Sequence, residues 1–234
     1  MNLPIPDPKA YAEAKPFPHL VLDDVFDQKE LNWILLGWPK KHQHSIENKG
    51  QHLKSHTNGE KEMGYYMADF IMKHFQSQEF IGFLEKLTSI QGLVLDCFDP
   101  SLHETYPGGW LKPHLDYTIS NRTGLQHRVN VILFLNEDWK PEYGGDMEIY
   151  ESGKMHGMNW ISEKNKVSIS PIFNRIAIIE INENNSWHGA STVTGPFSRK
   201  SIAVNYFSLP DGNVKAQHTI FSNDWKARIK NLLK

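Results

Sequence analysis

The segment "GPFSRKSIAVNYF", residues 195–207, begins with a turn sequence and continues as a predicted β-strand. The strand contains a charged residue, Arg199, among apolar ones. Gly and Pro open the segment, and the Ile, Val, Tyr and Phe that follow are typical of a β-strand. Alternate strand residues share a face, so one face carries Arg199, Ser201, Ala203 and Asn205. An arginine that points into an apolar interior needs an anion, and its planar fork fits a carboxylate. The segment predicts either a bound dicarboxylic acid or a salt bridge to a core Asp or Glu.

Similar short apolar runs occupy the chain from residue 91 onward, rich in Val, Ile, Phe and Tyr and separated by Gly, Pro and Asn. They are "GLVLDCF" (92–98), "RVNVILFLN" (128–136), "DMEIYE" (146–151), "KVSISPIF" (166–173) and "RIAIIEI" (175–181). This pattern is typical of an all-β sandwich or barrel, here of roughly eight strands.

The first 90 residues predict a support layer of helices. A proline-rich extended arm runs to residue 18, and a short strand lies within 18–26. Asp27 opens an Asp-x-x-Glu capping box before an amphipathic helix. Further helical patterns cover 60–75 and 77–90, and Ser77 is the expected N-cap of the second.

Three other segments complete the predicted organisation. Residues 39–60 are polar without periodicity and predict a long loop, and 151–167 is read as either a lid or a surface excursion. Residues 211–234 are assigned to a C-terminal helical unit. Helices on one side of a β core make one α+β domain, mainly β, over 1–234, with 1–90 as arm and support helices and 91–210 as the core.

Composition limits the classes of function. Hydrophobic residues make up 39% of the 234, enough for a substantial core. A net charge of −2 gives no basic footprint, so no nucleic-acid partner is expected. The single cysteine, Cys97, excludes an internal disulfide and fits a reducing compartment. No stretch resembles a signal peptide or a membrane span, so we expect a cytoplasmic protein without a membrane partner.

The stretch "GGWLKPHLDY", residues 108–117, places His114 and Asp116 two residues apart. In a strand the two side chains project to one face, and a buried carboxylate is costly unless it is paired or binds a metal. His188, in "NNSWHGAS", follows an apolar strand and supplies a possible third ligand. Two histidines and one carboxylate form the facial triad of non-haem Fe(II) oxygenases. Taken alone, a His-x-Asp pair is more often two polar residues of an amphipathic strand than a metal site.

Residues 91–210 resemble the Fe(II)- and 2-oxoglutarate-dependent dioxygenases, in the prolyl 4-hydroxylase-like branch. The resemblance is carried, in order, by "TYPGGWLKPHLDY", "HRVNVILFLNEDW", "YGGDMEIY", "ISPIFNRIAIIEI", "WHGAS" and "RKSIAVNYF". "FPHLVLDDVF" and "FIGFLEKLTSIQGLV" are similar to the entry strand and support helices of the same branch. The resemblance implies a double-stranded β-helix (jelly-roll) core with supporting N-terminal helices.

The resemblance also implies roles for individual residues. His114, Asp116 and His188 match the iron ligands, and Arg199 with Ser201 matches the anchor of the distal carboxylate of 2-oxoglutarate. Tyr106 matches a tyrosine that helps bind the same carboxylate. Many relatives carry tyrosine where this chain has Phe134, so Asn130 and Asn205 are added to the expected cosubstrate contacts. The expected substrate pocket comprises Tyr117, Trp187, Trp110 and Lys112.

The implied reaction is hydroxylation of an unactivated C–H bond with O2 and 2-oxoglutarate as cosubstrates and release of succinate and CO2. Ascorbate is a further expectation, as reductant. The substrate is expected to be a prolyl or other peptidyl side chain, with a free amino acid, sugar or other small metabolite as the alternative. A nucleic-acid demethylase would carry arginine at the position of Asn205. A zinc hydrolase and a non-catalytic metal-binding jelly roll are the alternatives from other classes.

Overall fold

The computed structural model describes residues 1–39, 50–58, 64–96, 100–155, 158–212 and 214–222. Residues 223–234, which hold most of the predicted closing helix, and Cys97 lie outside this part of the chain. Within it, residues 211–222 contain a short strand and no helix. No helix of the described residues is long and apolar enough to cross a membrane.

The described residues contain four α-helices, all before residue 90. They are α1 (Pro8–Glu13), α2 (Gln28–Leu36), α3 (Tyr65–His74) and α4 (Gln78–Thr88). The predicted N-caps of α2 and α4 are confirmed: an Asp27 oxygen accepts the backbone N–H of Lys29 at 2.8 Å, and Ser77 Oγ accepts that of Phe80 at 3.1 Å. Each side chain satisfies a donor that the first helical turn leaves unpaired.

The prediction of a fully extended arm over residues 1–18 is wrong at its centre. Asp7 accepts the backbone N–H of Ala10 at 3.0 Å, and Pro8 occupies the first helical position of α1. Proline is tolerated there because its missing N–H has no partner in the first turn of a helix. The buried ring of Tyr11 then attaches α1 to the core.

Eleven strands are present in the described residues. They are β1 (His19–Asp23), β2 (Gln51–Asn58), β3 (Val94–Leu95), β4 (Ser101–Leu115), β5 (Gln126–Phe134), β6 (Met147–Met155), β7 (Met158–Ile169), β8 (Arg175–Glu180), β9 (His188–Ala190), β10 (Arg199–Ser208) and β11 (Ile220–Phe221). All pairings between them are antiparallel.

Two segments read from the sequence as irregular are strands. Residues 51–58, within the predicted loop 39–60, form β2 along the edge of β4. Its sequence, "QHLKSHTN", contains one apolar residue, so it carries no hydrophobic alternation to mark a strand. Residues 151–155 and 158–167 belong to β6 and β7, whose pairing continues to Met155 and Met158. These residues therefore extend the sheet, with a register shift between Tyr150 and Glu151.

The strands form one curved, nearly closed antiparallel sheet in the order β1-β8-β5-β10-β4-β9-β6-β7, with β2, β3 and β11 paired to its members. This architecture confirms the mainly β jelly-roll prediction. Its central strands are buried on both faces, which explains their nearly continuous apolar runs. In β10, Ile202, Val204 and Tyr206 pack towards the helices, whereas Ser201, Ala203 and Asn205 face a cavity inside the barrel.

Buried polar contacts join the N-terminal region to the sheet. Tyr206 Oη donates to the carbonyl oxygen of Phe75 at 2.6 Å. The Asn174 side chain accepts the N–H of Phe26 at 3.0 Å and donates to the carbonyl oxygen of the same residue at 2.7 Å. The helices and the outer face of the sheet share one hydrophobic cluster. A single domain over the whole chain stays a prediction.

Candidate metal centre and anion pocket

His114, Asp116 and His188 converge at one end of the barrel. His114 and His188 are register partners in β4 and β9, and Asp116 follows the end of β4 directly. Asp116 Oδ1 lies 3.4 Å from His114 Nε2, and Asp116 Oδ2 lies 3.6 Å from His188 Nε2. One ligand atom from each residue fits within 4.8 Å of the others. This spacing permits all three to hold one metal ion.

Backbone carbonyl oxygens hold both histidine rings with Nε2 directed at Asp116. His114 Nδ1 lies 2.9 Å from the carbonyl oxygen of Lys112, and His188 Nδ1 lies 2.9 Å from that of Ser186. A carbonyl oxygen only accepts, so each Nδ1 carries a proton, and Nε2 is the ring nitrogen that faces Asp116 and that a metal would take. A second hydrogen bond of this kind is the usual way in which proteins orient a metal-binding imidazole. The donor set therefore fits a divalent metal.

The charge states of the centre agree with this assignment. Burial by itself would raise the pKa of Asp116, but the facing His188 and His114 rings hold it well below its usual value. Burial, followed by the charge of His114, lowers the pKa of His188 to about 4. At neutral pH the centre thus presents a carboxylate and a neutral imidazole from β9, as a metal ligand set requires.

The backbone of β9 approaches β4 closely because Gly189 follows His188. A side chain at Gly189 would place its Cβ 2.7 Å from the carbonyl oxygen of Leu111. That separation is shorter than van der Waals contact allows. The "HGA" sequence therefore permits the strand pairing that sets His188 opposite His114.

Arg199 lies inside the barrel and is only 6% exposed. Its Nε donates to the carbonyl oxygen of Gly145 at 2.7 Å, and Nη1 donates to Ser201 Oγ at 3.2 Å. Its Cζ lies 5.0 Å from the centre of the Phe134 ring. A Cβ at Gly145 would lie 3.2 Å from Arg199 Cδ, so glycine leaves space for the arginine stem.

The guanidinium has no ion pair with any residue that the structure describes. Burial lowers the pKa of Arg199 to about 10, and the Asp146 charge opposes that shift without forming a hydrogen bond or ion pair to it. Arg199 thus remains protonated at neutral pH. Of the two interpretations of the sequence, the bound anion fits better than a direct salt bridge.

A cavity of about 410 Å³ connects the metal cluster to Arg199. Besides the cluster and Arg199, its lining contains the predicted contacts Ser201, Asn130, Asn205 and Tyr117. The Asn130 Oδ1 atom is buried and has no hydrogen-bond partner among the described residues, as expected of a group that binds a ligand. These polar groups fit 2-oxoglutarate, whose two ends require a metal and a cation.

Four predicted site residues lie outside this lining: Tyr106, Trp110, Lys112 and Trp187. Each is the immediate neighbour of a lining residue, and strand alternation turns neighbours to opposite faces. Trp187 packs in a small core cluster with Leu115 and Tyr150. The Tyr106 hydroxyl lies 3.5 Å from Ser55 Oγ, and Trp110 stacks on His52. Their assignment to the pocket is not supported by their positions.

The structure also brings residues into the cavity that the sequence did not single out for it. Thr105 takes the inward position next to Tyr106, and His103 lies two residues before it. Lys54 reaches the cavity from β2. Alternation continued back along β4 from His114 selects Tyr106, so it could not have indicated His103 and Thr105, because the register shifts between Leu111 and His114. Nothing in the polar β2 sequence could have indicated Lys54.

Comparison with known families adds to the geometry. Residues 100–207 match the family model described as the 2OG-Fe(II) oxygenase superfamily. This range contains the three clustered residues, Arg199 and all of β10 up to Phe207. A search of curated proteins finds no match by sequence.

Solved structures show the same fold at low sequence identity. A Pseudomonas putida prolyl-4-hydroxylase aligns with a TM-score of 0.57 at 12% identity, covering 87% of this chain and 97% of that one. A Trichoplax adhaerens prolyl hydroxylase in complex with a hypoxia inducible factor peptide fragment aligns with 0.57 at 16%, covering 81% and 83%. HygX from Streptomyces hygroscopicus, with nickel, 2-oxoglutarate and hygromycin B bound, aligns with 0.57 at 11%, covering 88% and 94%.

Proposed function

We propose that the protein is an Fe(II)- and 2-oxoglutarate-dependent dioxygenase that hydroxylates an unactivated C–H bond; the match of residues 100–207 to the 2OG-Fe(II) oxygenase superfamily model supports this. The observation that carries the proposal is the His114, Asp116 and His188 cluster with both Nδ1 atoms fixed by carbonyl oxygens. Three protein ligands on one side of a metal leave the remaining positions for cosubstrate and O2.

The proposed roles follow from where each side chain is held. His114, Asp116 and His188 would bind Fe(II), and Arg199 would bind the distal carboxylate of 2-oxoglutarate at the far side of the cavity. Bound Fe(II) would supply the activation of O2, coupled to decarboxylation of 2-oxoglutarate to succinate and CO2.

Several contacts would preorganise the anchor for the cosubstrate. The Gly145 carbonyl and Ser201 hydroxyl fix two guanidinium nitrogens before any ligand arrives. Ser201 and Asn130 add hydrogen-bonding groups along the cavity wall. Holding a reactant in one orientation removes entropy from the barrier in advance. Burial of the wall strengthens each polar contact because little water competes for it.

The proposed prime substrate is a peptidyl side chain such as a prolyl residue. Support comes from the likeness to prolyl hydroxylases, one of which is described with a peptide bound. The likeness to HygX, described with hygromycin B bound, supports a small polar metabolite as the second candidate. Fold alone does not decide between them. Of the four residues predicted for this pocket, Tyr117 alone lines the cavity and is retained as a proposed substrate contact.

The decisive test measures succinate release and oxygen incorporation. Purified protein with Fe(II), 2-oxoglutarate and O2 is expected to form succinate slowly without substrate, and faster with the correct one. Peptide and metabolite collections are screened by mass spectrometry for the addition of one oxygen atom. His114→Ala is expected to abolish succinate release, because the metal loses one of three ligands. Unchanged release in that variant would contradict the assignment of the metal centre.

A further inference from the structure

Lys54 is a buried cation inside the cavity that the proposed roles above leave unused. It projects from β2, is 7% exposed, and contributes to the cavity lining. No hydrogen bond or ion pair joins its ammonium group to any residue that the structure describes. A buried ammonium group without a partner is costly, so its presence calls for an explanation.

The strand register places Lys54 beside the anion anchor. Thr105 of β4 is the register partner of Lys54 on one side and of Arg199 on the other. Directly opposed residues of antiparallel strands project to the same face. Lys54, Thr105 and Arg199 therefore form one row across β2, β4 and β10, directed into the cavity. Two strand spacings separate the ends of this row by about 10 Å. The long side chains of Lys54 and Arg199 can therefore both reach a single carboxylate between them.

The electrostatics of the pocket agree with the register. Burial first, and the charge of Arg199 second, lower the pKa of Lys54 to about 8, while Asp116 acts in the opposite direction. Lys54 is thus predominantly protonated at neutral pH, and its strongest electrostatic interaction is repulsion from Arg199. Two buried cations in one row favour an anion between them. Asp116 belongs to the candidate metal cluster and cannot also be the counter-ion of Lys54 and Arg199.

We infer that Lys54 is a second cationic contact for the distal carboxylate of 2-oxoglutarate, opposite Arg199 in the same row. The inference rests on the proposed function, since it assumes that this cavity binds 2-oxoglutarate. Lys54 is here a cosubstrate-binding residue. Lys54 should affect binding only through the distal carboxylate, because the keto acid end of 2-oxoglutarate is assigned to the metal.

The test compares two ligands that differ only at that end. 2-Oxopentanoate keeps the keto acid but has a methyl group in place of the distal carboxylate of 2-oxoglutarate. Both are titrated into the Mn(II)-loaded protein without O2, and binding is followed by calorimetry. Lys54→Met is expected to weaken 2-oxoglutarate binding by about tenfold or more, the worth of one charge-assisted hydrogen bond. Binding of 2-oxopentanoate is expected to stay the same.

Two further variants control the measurement. Lys200→Met removes the lysine that neighbours Arg199 but lies near Glu104 and Ser198, with 3.4 Å from its Nζ to Glu104 Oε1. It is expected to bind 2-oxoglutarate like the wild type. Lys54→Arg keeps the charge and is expected to recover most of the affinity lost in Lys54→Met. Thermal melting checks folding: without metal or cosubstrate, Lys54→Met is expected to melt no lower than the wild type, because it loses an unpaired buried charge.

The possible outcomes separate the inference from its premise. If the wild type binds 2-oxoglutarate and Lys54→Met binds it equally well, the inference is wrong and the proposed function stands. Equal weakening for both ligands would also overturn it, because the contact would then not be at the distal end. If the wild type binds neither ligand, the proposed function itself fails.

Discussion

Arg199→Met is the substitution that tests the anion anchor most directly. Methionine approximates the length of the arginine stem but removes the charge and every donor. In the structure, two guanidinium nitrogens already bond to the Gly145 carbonyl and to Ser201. The second terminal nitrogen has no hydrogen bond to the described residues. One charge-assisted hydrogen bond to the cosubstrate is therefore the minimum that the substitution removes.

The size of the effect follows from that count. A hydrogen bond to a charged group contributes about 1.5–3 kcal/mol, which corresponds to a loss of about 10- to 150-fold in affinity for 2-oxoglutarate. The assay is the dependence of succinate release on 2-oxoglutarate concentration. We expect the KM for 2-oxoglutarate to rise by that factor and kcat at saturation to fall much less, since the three proposed metal ligands are unchanged. An unchanged KM would refute the assignment of Arg199 as the anchor.

Two predictions concern stability. Asn174→Ala removes both side-chain bonds to the buried Phe26 backbone and should lower the free energy of unfolding by about 2–5 kcal/mol, whereas the exposed Asn165→Ala should change it by less than about 0.5 kcal/mol. Burial, then Arg199, lowers the pKa of Lys54 to about 8, so the folded state releases this proton before the unfolded state does. The metal-free protein should therefore gain about 3 kcal/mol relative to Lys54→Met between pH 8 and about 10.4.

Urea denaturation measures both effects. Equal unfolding free energies for Asn174→Ala and Asn165→Ala would contradict the role of Asn174 in joining the N-terminal region to the sheet. A difference between the wild type and Lys54→Met that stays constant with pH would contradict the lowered pKa of Lys54.

The amino-acid sequence was sufficient for the β core and for the inward face of β10. Val, Ile, Phe and Tyr at alternate positions, separated by turn residues, specify strands locally. The period of two then assigns each residue to a face without knowledge of the partner strand. That is why Arg199, Ser201 and Asn205 were correctly placed together on the face that lines the cavity. The N-caps Asp27 and Ser77 could also be predicted from the sequence, because a capping contact lies within one helical turn.

Strand pairing decided what local patterns could not. Which residue faces the cavity in the irregular stretch before His114 depends on the register of β4 with β10, and this register turns Thr105 inward and Tyr106 away. Trp187 looked like a pocket residue because it precedes His188, but alternation buries it in the core.

Lys54 shows most clearly what could not be predicted from the sequence. Its strand is polar and borders residues 40–49, so no hydrophobic period marks it as β-structure. Only pairing with β4 brings it into the row of Thr105 and Arg199. From sequence alone, a charged residue in a polar segment is expected to be exposed to solvent. Its burial depends on the partner strand and so is a property of the assembled sheet. The sequence by itself thus determined the core and the candidate metal-binding pattern, and the tertiary structure decided which side chains share the cavity with that pattern.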